Sequence, residues 1–101
     1  MITRKIGLNR GIPRLWLEGA ILSTNGFQNG DHFSITNKKD SIVGYALTIV
    51  WNSDGDRKIA GKPDRPIIDI NGSSILWGFQ HGDIVNVSAS KGLIVITKLG
   101  E

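Results

Sequence analysis

Eight of the twelve cationic residues fall in two short segments, Arg4, Lys5, Arg10 and Arg14, then Arg57, Lys58, Lys62 and Arg65. Only one acid, Asp64, lies inside them. Arg can fork onto two phosphate oxygens or onto a guanine edge, while Lys acts as a compact point charge. Two such clusters are the electrostatic footprint of a surface for an anionic partner. The other chemistry-bearing residues are sparser. Glu18, Asp31, Asp69 and Asp83 are the carboxylates a metal-dependent phosphodiesterase would need to converge, and His32 and His81 are the only imidazoles for metal-free acid–base work. Asp31 and Asp83 sit in turn-like stretches, where bonding to their own backbone is the expected role. Glu18 and Asp69 sit at outward strand positions, where water is the expected partner. The histidines follow no common spacing. There is no cysteine, so no thiolate nucleophile and no disulfide, and no glycine-rich phosphate loop with a downstream Lys-Ser/Thr pair. The expectation is therefore no catalysis, no cofactor and no metal.

The elements that must position these residues are written twice. Arg4-Lys5-Ile6, Pro13 and Gly19 recur 53 residues later as Arg57-Lys58-Ile59, Pro66 and Gly72. Gly26-Phe27-Gln28-x-Gly30-Asp31 recurs 52 residues later as Gly78-Phe79-Gln80-x-Gly82-Asp83. The basic clusters are thus equivalent parts of two copies, residues 4–50 and 57–98, joined by a tight turn at 52–56 with an Asp54-Gly55 hairpin signal. A five-residue joint is too short for a flexible tether. The copies are expected to pack on each other about a pseudo-twofold axis as one domain over 1–101, a monomer already holding its own partner.

Each copy reads as strand, loop, strand, short helix, turn and hairpin. Leu15 and Leu17, and Ile68 and Ile70, alternate inward. Short helices are expected over Ala20 to Asn25 and from Ser73, as N-cap, to Trp77, stopped by Gly26 and Gly78. Phe27 and Phe79 then turn into the core. The strands His32 to Thr36 and Ile84 to Ser88 precede closing strands Tyr45 to Trp51 and Leu93 to Lys98. A loop from Asn37 to Val43 or Gly44 carries Lys38 and Lys39, and a tight turn spans Ala89 to Gly92. The three tryptophans are expected to pack in the core or at an interface. A composition 40% hydrophobic and 21% charged, with net charge +3 over 101 residues, fits a globular chain. No apolar run reaches a membrane span, and no signal-peptide pattern opens the chain. A cytoplasmic location without membrane contact is expected.

The units resemble the swapped-hairpin DNA-binding fold of AbrB-like proteins. The Arg-Lys pair opening a strand, the loop Arg, the Gly-Phe turn and the Gly-Asp step carry the likeness. Pro66 to Gly72, Gly78 to Gly82 and Gly92 to Thr97 are closer to the SymE-like branch, as are Pro13 to Gly19 and Gly26 to Asp31. The resemblance implies a mainly β fold. Two β-β-α-β-β units would interlock into one barrel-like body with two short helices. It implies duplex DNA as partner, bound through Arg4, Lys5, Arg10, Arg14, Arg57, Lys58, Lys62 and Arg65, in a transcription regulator or nucleoid-type binder. The short helices lack the cations that AbrB-type units often place there, which implies a narrower DNA face or weaker binding. Two other outcomes stay open: an RNA-directed toxin or endonuclease of SymE type, and a protein-binding inhibitor module using Ile12, Trp16 or Trp51 as anchors.

Overall fold

A computed structural model of the chain describes residues 2–40 and 44–98. The fold is mainly β, with ten strands and one helix among the described residues: β1 (Ile2–Lys5), β2 (Gly7–Asn9), β3 (Ile12–Glu18), α1 (Ala20–Ser23), β4 (His32–Asp40), β5 (Gly44–Trp51), β6 (Arg57–Lys58), β7 (Ala60–Lys62), β8 (Arg65–Asn71), β9 (Ile84–Ser90) and β10 (Leu93–Lys98). They form a six-stranded sheet in the order β1-β9-β10-β5-β4-β6 and a four-stranded sheet in the order β2-β3-β8-β7. Every neighbouring pair is antiparallel.

Period-two patterning explains how the sheets face each other. Leu15, Leu17, Ile68 and Ile70 point from the four-stranded sheet, and Leu47, Ile49, Val85, Val87, Ile94 and Ile96 from the six-stranded one, into a single buried cluster. Phe27 and Phe79 are buried in it as expected. Burying each of the aliphatic side chains stabilises the fold by about 1.5–3 kcal/mol before entropy is charged against it.

The chain crosses between sheets at Ile6 and Ile59, both buried. Ile6 donates its N–H to Asp83 O (2.9 Å) and accepts from Gly82 N (2.9 Å). Ile59 does the same with Asp31 O (2.8 Å) and Gly30 N (3.0 Å). Gly-Asp turns thus take the backbone groups at both crossings. The strand ladder does not run on from one sheet to the other, and the expected barrel-like closure is replaced by two distinct sheets.

Other expectations are also corrected. Only the first of the two expected helices forms. Ser23 and Thr24 donate to Gly19 O (3.1 Å) and Ala20 O (2.9 Å), two successive helical bonds. Residues 73–78 instead form turns held by Leu76 N to Gly72 O (3.1 Å) and Phe79 N to Leu76 O (2.8 Å). Ile75 and Trp77 are poorer helix formers than the Ala20 and Leu22 of the first segment. Asn37 fastens this turn from β4, its Nδ2 donating to Ile75 O (3.0 Å) and Trp77 O (2.8 Å).

The loop expected from Asn37 is strand as far as Asp40, because β4 keeps pairing with β5 through Asp40↔Gly44; its residues 41–43 lie outside the described residues. The Asp54-Gly55 segment is not a hairpin. β6 pairs with β4, not with β5, so the chain crosses the end of β4. Gly55 there lies so close on the Phe33 backbone that no Cβ fits. Asn52 N donates to His32 O (3.0 Å), and the His32 ring contacts Gly55 O through Nδ1 (3.0 Å).

Candidate nucleic-acid interface

β1 and β6 are the two outer strands of the six-stranded sheet. Arg4 lies opposite Val85 and Lys5 opposite Ile84; Arg57 lies opposite Phe33 and Lys58 opposite His32. Directly paired residues share a face of a sheet. Val85 and Phe33 are core residues. Arg4 and Arg57 therefore leave the two edges on the side covered by the four-stranded sheet, and Lys5 and Lys58 on the reverse side. Five strand steps separate the pairs, about 24 Å at the usual interstrand spacing. Among the described residues Arg4 bonds only a backbone oxygen, that of Thr3 (2.9 Å). None of these four cations has a salt bridge among the described residues.

Arg10 occupies the turn between β2 and β3, with a left-handed φ of 53°. Lys62 pairs opposite Arg65 at the β7–β8 turn. Because β3 and β8 are antiparallel, these turns lie at opposite ends of the four-stranded sheet. Both residues are exposed.

Arg14 and Arg65 differ from the rest. The Arg14 guanidinium binds Asp69 through both carboxylate oxygens, at 2.9 and 3.0 Å. It also lies over the Trp16 ring, 4.5 Å from its centroid. Arg65 Nε meets Glu18 Oε2 at 2.8 Å. These pairs run across the outward face of β3 and β8, whose register centres on Trp16↔Asp69. Hydrogen bonding by Arg14 holds the Asp69 carboxyl below its ordinary range, and Arg65 does the same for Glu18. The expectation that Glu18 and Asp69 would be merely solvated is thus replaced by two ion pairs.

Asp31 and Asp83 take the turn role expected of them. Gln28 N donates to Asp31 Oδ2 (2.9 Å), and Gln80 N to Asp83 Oδ2 (2.8 Å). Asp31 and Asp83 sit in two separate turns, while Glu18 and Asp69 share the outward face of β3 and β8, each bound to an arginine. No three His, Cys, Asp or Glu residues gather to hold a metal ion among the described residues. His32 and His81 are both exposed.

The tryptophans do not pack in the core. Trp16, Trp51 and Trp77 all lie largely at the surface. Trp77 is edge-on to Tyr45, ring centroids 5.0 Å apart. Trp51 walls a groove of about 460 Å³ with Gly26, Asp31, Lys91 and Gly92. No expectation from the sequence covers this groove. Its sequence signal is Gly92, in the turn between β9 and β10.

No protein-family model, curated protein or solved structure matches the chain.

Proposed function

We propose that the chain is a duplex-DNA binder built as a fused pseudo-dimer of two AbrB-like units of SymE type. What carries this reading is the placement of Arg4 and Arg57 at matching positions on the two outer strands, without a carboxylate partner among the described residues, while Lys5 and Lys58 leave on the reverse side. The pairing pattern supports the fused dimer. Lys5↔Ile84 and Lys58↔His32 are one pairing seen from either copy. So are the crossings at Ile6 and Ile59, and the bonds Gly19 N to Pro66 O (3.0 Å) and Gly72 N to Pro13 O (3.2 Å). Each unit gives its opening strand to the hairpin of the other. The axis relating them passes through Trp16↔Asp69 in one sheet and Thr48↔Val95 in the other.

Arg4 and Arg57 then act as two phosphate forks spaced within one helical turn of duplex, about 34 Å. Arg10 and Lys62 extend the reach at the ends of the four-stranded sheet. Arg14 and Arg65 are already held by carboxylates. They set the shape and charge of the face between the forks and engage phosphate only by exchanging partners. Binding of this kind releases counterions, and its strength falls steeply with salt.

The test is a salt titration with random-sequence duplex and single-stranded RNA. Arg57→Ala with Lys58→Ala, and separately Arg4→Ala with Lys5→Ala, should each weaken binding on all sequences. Each lost phosphate contact should reduce the log–log salt slope by about 0.9. Lys91→Ala, outside the doubled cluster, should change little. Equal losses from Lys91→Ala would leave only net charge as the explanation. A preference for the RNA strand would replace duplex DNA as the partner, and absence of salt-dependent binding to either would end the nucleic-acid reading.

A further inference from the structure

The two ends of the central β5–β10 pair are furnished differently. At one end Tyr45 and Lys98 follow the Ala46↔Thr97 pair. The Tyr45 ring lies flat on Gly78, so close that no Cβ could be added there. Trp77 meets it edge-on, and Phe79 lies at 6.3 Å. Lys98 Nζ sits 3.2 Å from Asp83 and 6.0 Å from the Tyr45 centroid. This end holds an aromatic ring on a glycine, beside an ammonium on a carboxylate.

At the other end Trp51 and Gly92 follow the Val50↔Leu93 pair, with Trp51 N donating to Gly92 O (2.9 Å). They face Gly26 and Asp31, as Lys98 and Tyr45 face Gly78 and Asp83. Gly92 stands where Tyr45 stands, and it brings no ring. Trp51 stands where Lys98 stands, and it brings no ammonium. Around the Cβ position of Gly26 there is only ordinary contact with Lys91 Cγ (3.8 Å) and Gly92 N (3.9 Å). Asp31 has no salt bridge among the described residues. The result is the groove beside Trp51, of a size usual for ligand pockets.

We propose that this groove takes from a partner polypeptide what the opposite end supplies from within: an aromatic side chain seated on Gly26 and Gly92 against Trp51, next to a Lys or Arg on Asp31. The inference rests on the half-to-half correspondence and not on DNA contact. Asp31, the one carboxylate of the lining among the described residues, favours a basic peptide over a nucleotide, whose phosphate it would repel. Lys91, at the rim, works against the basic residue and is a built-in handle on the test.

The probes are the capped tripeptides Lys-Tyr-Lys, Lys-Ala-Lys and Glu-Tyr-Glu, followed by amide and indole NMR shifts of the full chain. Lys-Tyr-Lys should move the Trp51 indole N–H and the Gly26 and Gly92 amides, and Lys-Ala-Lys should not. Trp51→Ala should weaken Lys-Tyr-Lys about tenfold, the effect of losing one aromatic contact. Lys91→Glu, at an exposed turn position that leaves the core intact, should strengthen it severalfold, and Asp31→Asn should weaken it. Arg4→Ala with Lys5→Ala should leave peptide binding unchanged, which separates this site from the duplex face. Glu-Tyr-Glu binding as well as Lys-Tyr-Lys, adenosine monophosphate giving the same shifts at lower concentration, Lys91→Glu without effect, or no shift at these three residues would each overturn the proposal.

Discussion

Replacing Gly78 by Ala should cost considerably more than the same change at Gly26. Both glycines have nearly the same left-handed φ, 88° and 85°. Forcing a residue with a Cβ into that region costs about 1–2 kcal/mol at either position. At Gly26 that is the whole cost, because the added methyl meets nothing closer than 3.8 Å. At Gly78 the methyl would enter the Tyr45 ring, which Trp77 and Phe79 hold in place. Overpacking of this kind adds about 1–3 kcal/mol, giving a total of about 2–5 kcal/mol. Urea unfolding of the two single variants measures the difference as a shift in midpoint at constant slope. Tyr45→Ala supplies the decisive control. In its background Gly78→Ala should fall to the backbone strain alone, a coupling of about 1–3 kcal/mol. Equal costs at Gly26 and Gly78, or an undiminished Gly78→Ala cost without the tyrosine, would refute the reasoning.

Two further outcomes follow from the core and the sheet surface. Phe27→Ala and Phe79→Ala should each destabilise by about 3–5 kcal/mol, since both rings are buried beneath matching turns; thermal or urea melts with a loss under 1 kcal/mol at either would contradict that burial. Asp69→Asn should lower stability at neutral pH by an amount that shrinks in acid. Arg14 depresses the Asp69 pKa in the fold, so its contribution is present above the ordinary carboxylate pKa of about 4 and is lost as pH falls through the depressed value. A variant-to-parent difference in melting temperature that stays constant down to pH 2 would contradict the assignment.

The parts of the fold legible in the sequence are those set by local pattern. Alternation placed Leu15, Leu17, Ile68 and Ile70 inward. Glycine and aspartate at fixed offsets marked the Gln28–Asp31 and Gln80–Asp83 turns. What local pattern could not give was partner choice. The Asp54-Gly55 pair carries a hairpin signal, but β6 finds the free edge of β4, where only a glycine can pass over Phe33. Ser73 to Trp77 has a capping residue and a stop, yet Ile75 and Trp77 leave it as turns. The cation segments were visible as a doubled cluster. That Arg14 and Arg65 would spend their charge on Asp69 and Glu18 depended on the β3–β8 register, which joins residues from the two halves of the chain. The groove beside Trp51 was hidden for a related reason, since it exists only where Gly92 comes to rest beside Gly26.

The pairing of β1 with β9 ties residues 2–5 to residues 84–87, and β3 waits for β8 in the same way. A ribosome making this protein releases the N-terminal half well before its strand partners exist. Until β8, β9 and β10 emerge, β1 and β3 have no intramolecular neighbours on their open edges. Folding must then be dominated by distant contacts and correspondingly slow. During that interval a second nascent chain can offer the same β8–β9–β10 surfaces, so crowded translation favours exchange of strands between molecules. Slow refolding, with exchanged dimers trapped at high protein concentration, is the outcome to expect of a sheet whose neighbours are far apart in sequence.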